Sequence, residues 1–317
     1  MRAGSSYLPA VTLPISQIVC AVKCLASLTF CAVKCFKYLK MEDNVVTKKQ
    51  RVEDSVLPNS ESTLEKMAVK AAEIISFIFH SPSSSSSSSS SFPPLFTHQI
   101  FDNEMLLLFN PEVRVQIHVS TVSWKVFIAV LSTDRSSADF KSILSQLEPH
   151  FIPNTVSFGL EEDIEQWTLK LSSEEMKPWG IPLPTSPLPS DGIELRLSTH
   201  ASDPQAAPFL QVGEKLARWF IETADSIDFT DPHFELIVAW KEGEKEKERS
   251  IAGYLTLFTF INPFCGNKLR ICQALMLPIY QSQGIGRRML LSVYKLAASR
   301  LDITEVTVED PADGFSK

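Results

Sequence analysis

The stretch Gln273-Ala-Leu-Met-Leu-Pro-Ile-Tyr-Gln-Ser-Gln-Gly-Ile-Gly-Arg-Arg-Met-Leu-Leu-Ser-Val-Tyr-Lys295 decides the fold of this chain. It begins with an apolar run typical of a β-strand, which ends at Pro278 because proline cannot donate to a continuing ladder. A short turn containing Gly284 and Gly286 follows, and from Ile285 onward apolar residues recur at helical spacing. The stretch therefore predicts a strand, a tight turn and an amphipathic helix.

The glycine turn is a candidate anion site. Glycine lets the backbone approach a ligand closely, and the first N–H groups of a helix have no acceptor within the helix. The turn lacks the lysine of a P-loop and the third glycine of a dinucleotide fingerprint. Two glycines before a helix are also common in a close-packed strand-to-helix connection, so the pattern alone leaves both interpretations open.

Composition sets the broad class. A length of 317 residues predicts about two domains, and 44% hydrophobic with 21% charged residues is typical of a soluble globular protein. The formal charge of -7 argues against a general polyanion binder and permits a basic partner. Six cysteines in a chain of this length do not make a disulfide framework, which indicates a reducing compartment.

The amino-terminal part divides into two segments. Residues 1–40 are apolar with scattered lysines and no acid, and we interpret them as an extension foreign to the fold; a secretory or transit signal is the alternative. Residues 41–91 are interpreted as a mostly disordered linker, because the serine run at 83–91 cannot bury a core. Within that linker, residues 63–80 carry apolar positions at helical spacing.

The remainder is predicted to form two α+β units. Between residues 92 and 200, alternation at 113–119 predicts a strand and the apolar stripe at 140–147 predicts a helix. From residue 205 to 317 we expect a helix with Glu214 on its polar side, and then strands at 234–240, 251–260, 269–277 and 305–309.

The segment Gln281-Ser-Gln-Gly284-Ile-Gly286 resembles the pyrophosphate loop of the GNAT superfamily of N-acetyltransferases. Trp219-Phe-Ile-Glu-Thr-Ala224, Gly253-Tyr-Leu-Thr256 and Val308-Glu-Asp-Pro311 resemble the catalytic subunit of type B histone acetyltransferase.

Phe96-Thr-His-Gln-Ile-Phe101 and Lys177-Pro-Trp-Gly180 are similar to that family's amino-terminal domain. The chain is thus identified as a member of the family over residues 92–317. The resemblance implies an α+β fold in which a GNAT-type mixed central sheet, flanked by helices, follows a smaller α/β amino-terminal domain.

The resemblance implies acetyl-coenzyme A as cofactor. Backbone groups of Ala274, Leu275 and Met276 would pair with the pantetheine arm like an added strand. The N–H groups of the turn would hold the pyrophosphate, and Arg287 would add a positive charge. The turn residues assigned to the cofactor are Gln281, Ser282, Gln283, Gly284, Ile285, Gly286 and Arg287.

Acetyl transfer to lysine requires a proton acceptor, because the free amine has a pKa near ~10.4. A carboxylate at the mouth of the site can accept that proton directly or through water. The resemblance selects Glu309 as the general base, with Asp310 and Glu222 as secondary candidates.

The resemblance also implies a groove for a histone tail. The residues placed along it are Asp102, Asn103, Glu104, Phe234, Phe258, Thr259 and Phe260. Phe234 stands where the family carries a tryptophan over the substrate lysine. A solvated turn for the acidic residues and core packing for the phenylalanines are the alternatives.

These features together imply a histone acetyltransferase acting on newly synthesised histone 4 with histone 3, found in nucleus and cytoplasm. A WD-repeat histone chaperone is the implied partner, and we expect no metal, direct nucleic-acid contact or membrane attachment. The family continues past Lys317 with a helix, further strands and a helical domain, which predicts weak or no activity here. A non-catalytic histone- or chaperone-binding chain is the first alternative. A small-molecule acetyltransferase is the second, and the extra amino-terminal domain argues against it.

Overall fold

A computed structural model describes residues 66–81, 90–171, 174–184, 192–243 and 249–311. The predictions for residues 1–40 and for most of the serine run lie outside these residues. Within the described residues, the chain forms a two-stranded ribbon, a five-stranded sheet, a six-stranded sheet and five α-helices. The α+β prediction is confirmed.

The described residues of the amino-terminal half form seven strands and three α-helices. The strands are β1 (Met67–Lys70), β2 (Ile75–His80), β3 (Ser91–Phe92), β4 (Met105–Leu108), β5 (Arg114–Ser120), β6 (Val126–Leu131) and β7 (Val156–Leu160). The helices are α1 (Ala71–Ile74), α2 (Ala138–Leu147) and α3 (Ile164–Leu171). The five-stranded sheet has the order β3-β2-β5-β6-β7, while β1 pairs with β4 in the ribbon. The predicted strand at 113–119 and helix at 140–147 are confirmed.

The prediction of a linker through residue 91 was wrong for its later part. Strand β2 lies inside the five-stranded sheet, parallel to β5 and antiparallel to β3. Its phenylalanines Phe77 and Phe79 are buried. The apolar spacing at 63–80 suggested one helix, but the structure gives strand, a single helical turn and strand, because the β-branched and aromatic residues from Ile75 onward suit a buried strand.

In the carboxy-terminal half, the part of the chain that the structure describes forms six strands and two α-helices. The strands are β8 (Ile181–Pro182), β9 (Ile193–Ser198), β10 (Phe234–Glu242), β11 (Arg249–Phe260), β12 (Asn267–Met276) and β13 (Ile303–Val308). The helices are α4 (Ala206–Ala217) and α5 (Ile285–Ser299). The strand order is β13-β12-β11-β10-β9-β8. The pair β12–β13 is parallel, and the other neighbours are antiparallel.

The predicted boundary between the two halves was placed too late. Strand β9 pairs with β10 from Ile193 to Ser198, so the carboxy-terminal sheet recruits residues that were assigned to the first domain. Strand β9 was not predicted because the prolines that precede it in the sequence favour irregular structure. The four strands predicted after residue 205 are confirmed.

Aromatic side chains join the two halves. Trp219, which is fully buried, lies with its ring centroid 5.3 Å from that of Phe77 and 6.0 Å from that of Phe101. Tyr254 of β11 packs 6.0 Å from Trp124, which precedes β6. Aromatic pairs at these separations add to the free energy of burial, so the two sheets share one core.

The far end of α5 is tied to the middle of the six-stranded sheet. Arg300 donates two hydrogen bonds of 2.6 Å to the buried carboxylate of Glu235 on β10. Such a bidentate pair fixes geometry as well as charge. None of the helices in the described ranges combines the length and the apolar content that crossing a bilayer requires.

Candidate functional site: a parted pair of strands beside a glycine turn

Strand β12 is paired on both sides along its first half and on one side along its second. β13 pairs with it through Ile271, and the N–H of Glu309 extends the ladder by donating to Ile271 O at 2.9 Å. β12 then continues to Met276, paired with β11 alone. Within the described part of the chain, residues 272–276 therefore present one open strand edge, where the backbone can pair with an extended ligand.

A bulge in the pairing of β11 with β12 lies at the point where β13 ends beside β12. The β11–β12 register passes from Leu257 opposite Ile271 to Thr256 opposite Gln273, which leaves Cys272 without a cross-strand partner. Bulges re-aim the backbone next to the residue that is added. The backbone of Cys272 is thus turned out of the regular ladder at the point where the open edge begins.

The glycine turn follows the open edge directly. Gly284 precedes α5 with a φ of +77°, and a Cβ added there would meet nothing within 4 Å. Ser282 also has a positive φ, of 63°. The first turn of α5 contains no acidic residue, so its N–H groups and the positive end of its dipole face open space.

The glutamines of the turn brace it. The side-chain amide of Gln281 donates to Met276 O at 3.0 Å, and that of Gln283 donates to Ile279 O at 3.0 Å. The main-chain N–H of Gln281 donates to Pro278 O. These contacts refine the expected cofactor contacts, because the N–H of Gln281 and the carbonyl of Met276 already have partners.

One face of the six-stranded sheet is open beside this edge. Cross-strand pairing places Phe234, Phe258, Arg270 and Thr307 in one row. The ring centroids of Phe234 and Phe258 are 4.7 Å apart, and Phe260 lies 4.7 Å further on. Phe234 and Phe258 are half-buried and Phe260 is 38% exposed. The phenylalanines thus form an accessible aromatic strip, and Thr259 between them donates its N–H to His233 O.

Glu309 lies at the end of the same row. Alternation puts it on the face of Thr307, where its carboxylate is 3.6 Å from the guanidinium of Arg270. The guanidinium carbon of Arg270 lies 4.4 Å from the centroid of the Phe260 ring. Glu309 is exposed, which leaves its carboxylate accessible to a ligand. Asp310 follows with a φ of 36° and is also exposed.

Cys272 lies under Glu309. Burial, followed by the charge of the neighbouring Glu309 carboxylate, raises the pKa of the Cys272 thiol to about 12. The protonated thiol is a donor, and its sulfur is 3.9 Å from Arg270 O. A thiol with this pKa stays neutral at physiological pH.

Glu222 lies on a separate segment that borders β12. Its side chain is exposed, and three residues later Asp225 O accepts a hydrogen bond from the side chain of buried Gln273 on β12. Glu214 was expected on a polar helix face; instead it is buried, and it accepts a hydrogen bond from the N–H of Ile227 at 2.5 Å. Burial raises the pKa of the Glu214 carboxyl.

The acidic turn predicted to contact substrate is an exposed single turn in which Asn103 and Glu104 have φ values of 51° and 61°. It follows Phe101, whose ring packs on Trp219. Among the described residues, no hydrogen bond, ion pair or ring contact joins Asp102, Asn103 or Glu104 to the aromatic strip. The described residues also contain no cluster of three or more metal-ligating side chains.

The sequence pattern missed four residues that the structure brings to this region: Gln99, Arg270, Cys272 and Gln273. Arg270 and Cys272 alternate with buried Leu269 and Ile271. That alternation marks them as facing away from the covered side of the sheet. Gln99 belongs to a motif quoted for resemblance, but no signal within that motif indicates its partner.

Two family profiles match the chain. The profile described as histone acetyl transferase HAT1 N-terminus matches residues 67–222, and the acetyltransferase (GNAT) family matches residues 197–315. The first begins at β1 and the second includes all of the open edge and the glycine turn. The two matches together span both sheets.

Several curated relatives are named histone acetyltransferase type B catalytic subunit. The mouse protein is 24% identical over 74% of this chain, and the human protein is 23% identical over 74%. The protein from Candida albicans is 24% identical over 71%. The matches cover 59%, 58% and 57% of those proteins, so the chain spans less than two thirds of their length.

Two of the solved structures that are similar to this chain are named acetyltransferases. An aminoglycoside acetyltransferase from an uncultured soil metagenomic sample covers 38% of the chain at 16% identity, with 78% of its own length and a TM-score of 0.29. A ribosomal-protein-alanine N-acetyltransferase from Brucella melitensis biovar Abortus 2308 covers 38% at 13% identity, with 82% of its own length and a TM-score of 0.28.

Proposed function

Because this chain belongs to the family of type B histone acetyltransferase catalytic subunits, we propose that it transfers acetyl groups from acetyl-coenzyme A to lysine side chains of newly synthesised histone 4. The observation that carries the proposal is the parting of β12 from β13 directly before the glycine turn. An open strand edge that leads into a helix N-terminus suits a ligand with an amide-bearing arm and a diphosphate.

The residues present fit such a ligand. The amides of the pantetheine arm can pair with the open edge at Ala274 and Leu275, as an added strand does. The N–H groups from Ser282 to Arg287 can hold the diphosphate, helped by the dipole of α5. Arg287 is exposed in the first turn of that helix and adds a positive charge. Acetyl-coenzyme A, when bound, supplies an activated acetyl thioester.

The open face provides the acceptor side. A lysine side chain is a hydrocarbon stem with a charged end, so its stem suits the strip formed by Phe234, Phe258 and Phe260. Its amine would then meet the Glu309 carboxylate, which accepts the proton that must leave before attack. The guanidinium of Arg270 lies 3.6 Å from that carboxylate. Asp310 and Glu222 are the secondary candidates for this role.

The proposed partners follow the family. The names of the relatives indicate histones as substrate, and we propose histone 4 together with histone 3 as the acceptor and a WD-repeat chaperone as the presenting protein. A net charge of -7 suits a basic tail. We propose the nucleus and the cytoplasm as the locations, since newly made histones pass from one to the other.

The proposal is tested by incubating the chain with acetyl-coenzyme A carrying a labelled acetyl group and a peptide of the histone 4 tail. We expect label on the peptide, and none on a matched peptide in which arginine replaces every lysine. Calorimetry with acetyl-coenzyme A alone measures the cofactor site independently of the acceptor.

The two measurements separate the possible roles. Peptide binding without cofactor binding would favour the non-catalytic binding role and overturn the proposal. Cofactor binding with transfer to small amines, and none to the peptide, would keep the acetyltransferase and remove the histone substrate.

A further inference from the structure

The segment that carries Glu222 is hydrogen-bonded to a turn of the amino-terminal half. Gln99 donates from Nε2 to Ile221 O at 2.9 Å and to Glu222 O at 2.7 Å. His98 Nε2 lies 3.0 Å from the same carbonyl of Glu222. Because a carbonyl oxygen only accepts, His98 must carry its proton on Nε2 in this contact. Two side chains thus donate to one main-chain oxygen next to a candidate catalytic carboxylate.

The same segment is held from the other side by the acetyltransferase half. The side chain of Gln273 on β12 donates to Asp225 O, and the Glu214 carboxylate on α4 accepts from Ile227 N. Gln273 is itself oriented by Tyr254, whose hydroxyl donates to its Oε1 at 3.1 Å. Residues 221–227 therefore form a bridge with one end fixed by the amino-terminal turn and the other by the strand that has the open edge.

Cohesion of the two halves does not account for these contacts. Trp219 already joins the halves through ring packing, and its carbonyl accepts from the N–H groups of Leu95 and Phe96. The bonds from His98 and Gln99 lie further along the segment, at exposed positions, and they converge on the main chain of Glu222, whose side chain is exposed. Side-chain donors aimed at one exposed carbonyl orient it far more than they add to the core.

We propose that His98 and Gln99 are positioning residues: they fix the main chain at Glu222, so that the amino-terminal half completes the acceptor side of the site on the acetyltransferase half. The inference rests on the proposed function, and it assigns a task to the Thr-His-Gln turn. We call the hydrogen bonds from His98 and Gln99 to the main chain at Ile221 and Glu222 the clamp. Acetyl-coenzyme A binding does not involve the clamp, because the open edge and the glycine turn lie on other elements.

The first test measures the clamp itself by hydrogen exchange of the backbone amides in residues 220–230. We expect Gln99→Ala to accelerate exchange in this segment and the double variant His98→Ala with Gln99→Ala to accelerate it further. Gln146→Ala is the matched control, since Gln146 likewise bonds a main-chain group in the same half, at Leu107. Unchanged exchange at 220–230 in the double variant would overturn the inference.

The second test separates positioning from folding by kinetics. Misplacement of a reacting group by about 1 Å can cost up to about 100-fold in rate, and we expect kcat on the histone 4 peptide to fall about tenfold in Gln99→Ala. The dissociation constant of acetyl-coenzyme A stays within about twofold, since its contacts are elsewhere. His98→Gln keeps a donor at the Nε2 position and restores the rate relative to His98→Ala.

A fall in kcat that Gln146→Ala reproduces, or faster exchange with unchanged kcat, would contradict a positioning role. If the unaltered chain transfers no acetyl group at all, the proposed function fails and the exchange measurement still decides the clamp. In that case the affinity of the histone 4 peptide replaces kcat, and equal affinity in the unaltered chain and the double variant would overturn the inference.

Discussion

The two sheets of this molecule differ in how completely they are paired. In the five-stranded sheet the parallel pairs β2–β5 and β6–β7 run together over six and five positions and end where the shorter strand ends. In the six-stranded sheet β13 accompanies β12 only as far as Ile271, and the last five residues of β12 continue without it. The parallel pairs of the five-stranded sheet are therefore complete, whereas β12 runs past its parallel partner and leaves one edge open.

Unpaired polar atoms mark the place where β13 ends beside β12. Among the buried side-chain atoms that lack a partner in the described chain, Arg270 Nε and Thr307 Oγ1 lie at the parting of β12 and β13. Buried polar atoms are normally satisfied, so an unpaired pair beside an open edge indicates a place that a ligand completes. In the five-stranded sheet, the ring nitrogens of His80 and His118 contact each other at 2.9 Å, and Nε1 of Trp124, which precedes β6, is also unpaired among the described residues.

The strongest test of the difference between the two sheets is to remove the Glu309 carboxylate beside the open edge of β12. Glu309→Gln is expected to lower kcat on a histone 4 peptide by about 10³-fold, or about 4 kcal/mol in the barrier, because it removes the proton acceptor. Steady-state kinetics measures this. Glu305→Gln is the control, since Glu305 lies on the same strand and face and pairs with Lys268 at 2.7 Å. Equal losses in both variants would show that charge, and not the base, matters.

The stability of the six-stranded sheet is expected to depend on its middle, at Glu235 on β10, rather than on its open edge. Arg300→Met leaves the Glu235 carboxylate buried without its partner, and we expect the free energy of unfolding to fall by about 3 kcal/mol. Urea denaturation measures the change. Lys268→Met, which breaks an ion pair exposed by about half on each side, should cost less than about 1 kcal/mol. A larger loss for Lys268→Met would contradict this view of the opening.

The turn beside the opening can be filled without disturbing the fold. A Cβ at Gly286 makes only an ordinary contact, 3.9 Å from Met276 Cγ, and leucine favours a helix. We expect Gly286→Leu to weaken acetyl-coenzyme A binding by about 100-fold, or about 2.7 kcal/mol, because the longer side chain keeps phosphate away from the N–H groups.

Calorimetry on Gly286→Leu measures this loss, and Ser299→Leu at the exposed far end of the same helix is the control. Unchanged affinity in Gly286→Leu would place the diphosphate elsewhere.

The stability of the five-stranded sheet is expected to fall at acid pH. Burial lowers the pKa of His118 to about 3 from an ordinary value of 6.5, with His80 adding to the shift. Below pH 6.5 the unfolded chain binds a proton at His118 that the folded chain does not bind. The contribution of His118 to the free energy of unfolding is therefore fully present above pH 6.5 and is lost as the pH falls toward 3. Between pH 7 and pH 5 we expect a loss of about 2 kcal/mol.

Denaturation of the chain at both pH values measures this loss. In His118→Gln the contribution of that group disappears, and the two denaturation curves should move closer together. If the unaltered chain and the variant lose the same stability, His118 is not the group responsible.

The sequence predicted the part of the molecule that short-range pattern controls. Apolar alternation at 113–119, the stripe at 140–147 and the strand-turn-helix around Gly284 are all local signals, and all three are present in the structure. The segment 67–80 was misassigned because its burial depends on β5, whose paired residues are 40 positions away in sequence, and no local pattern carries that information.

In the candidate site, too, only the residues that belong to short motifs were predicted from the sequence. The turn residues, Glu309 and the strand-like pairing at Ala274, Leu275 and Met276 all follow from motif resemblance. The guanidinium of Arg270 beside Glu309 and the bonds from Gln99 to the Glu222 segment depend on long-range register and on the meeting of the two halves. These contacts join residues distant in the chain, so residue spacing did not reveal them.

The bulged cysteine has a consequence for reaction order. With its pKa raised to about 12, the Cys272 thiol is protonated at pH 7 and is a poor nucleophile for an acyl group. We therefore expect both reactants to be bound together before turnover, with intersecting rather than parallel double-reciprocal lines. Alkylation of the exposed Cys265 should leave the rate unchanged, since that thiol lies in the loop beyond β11.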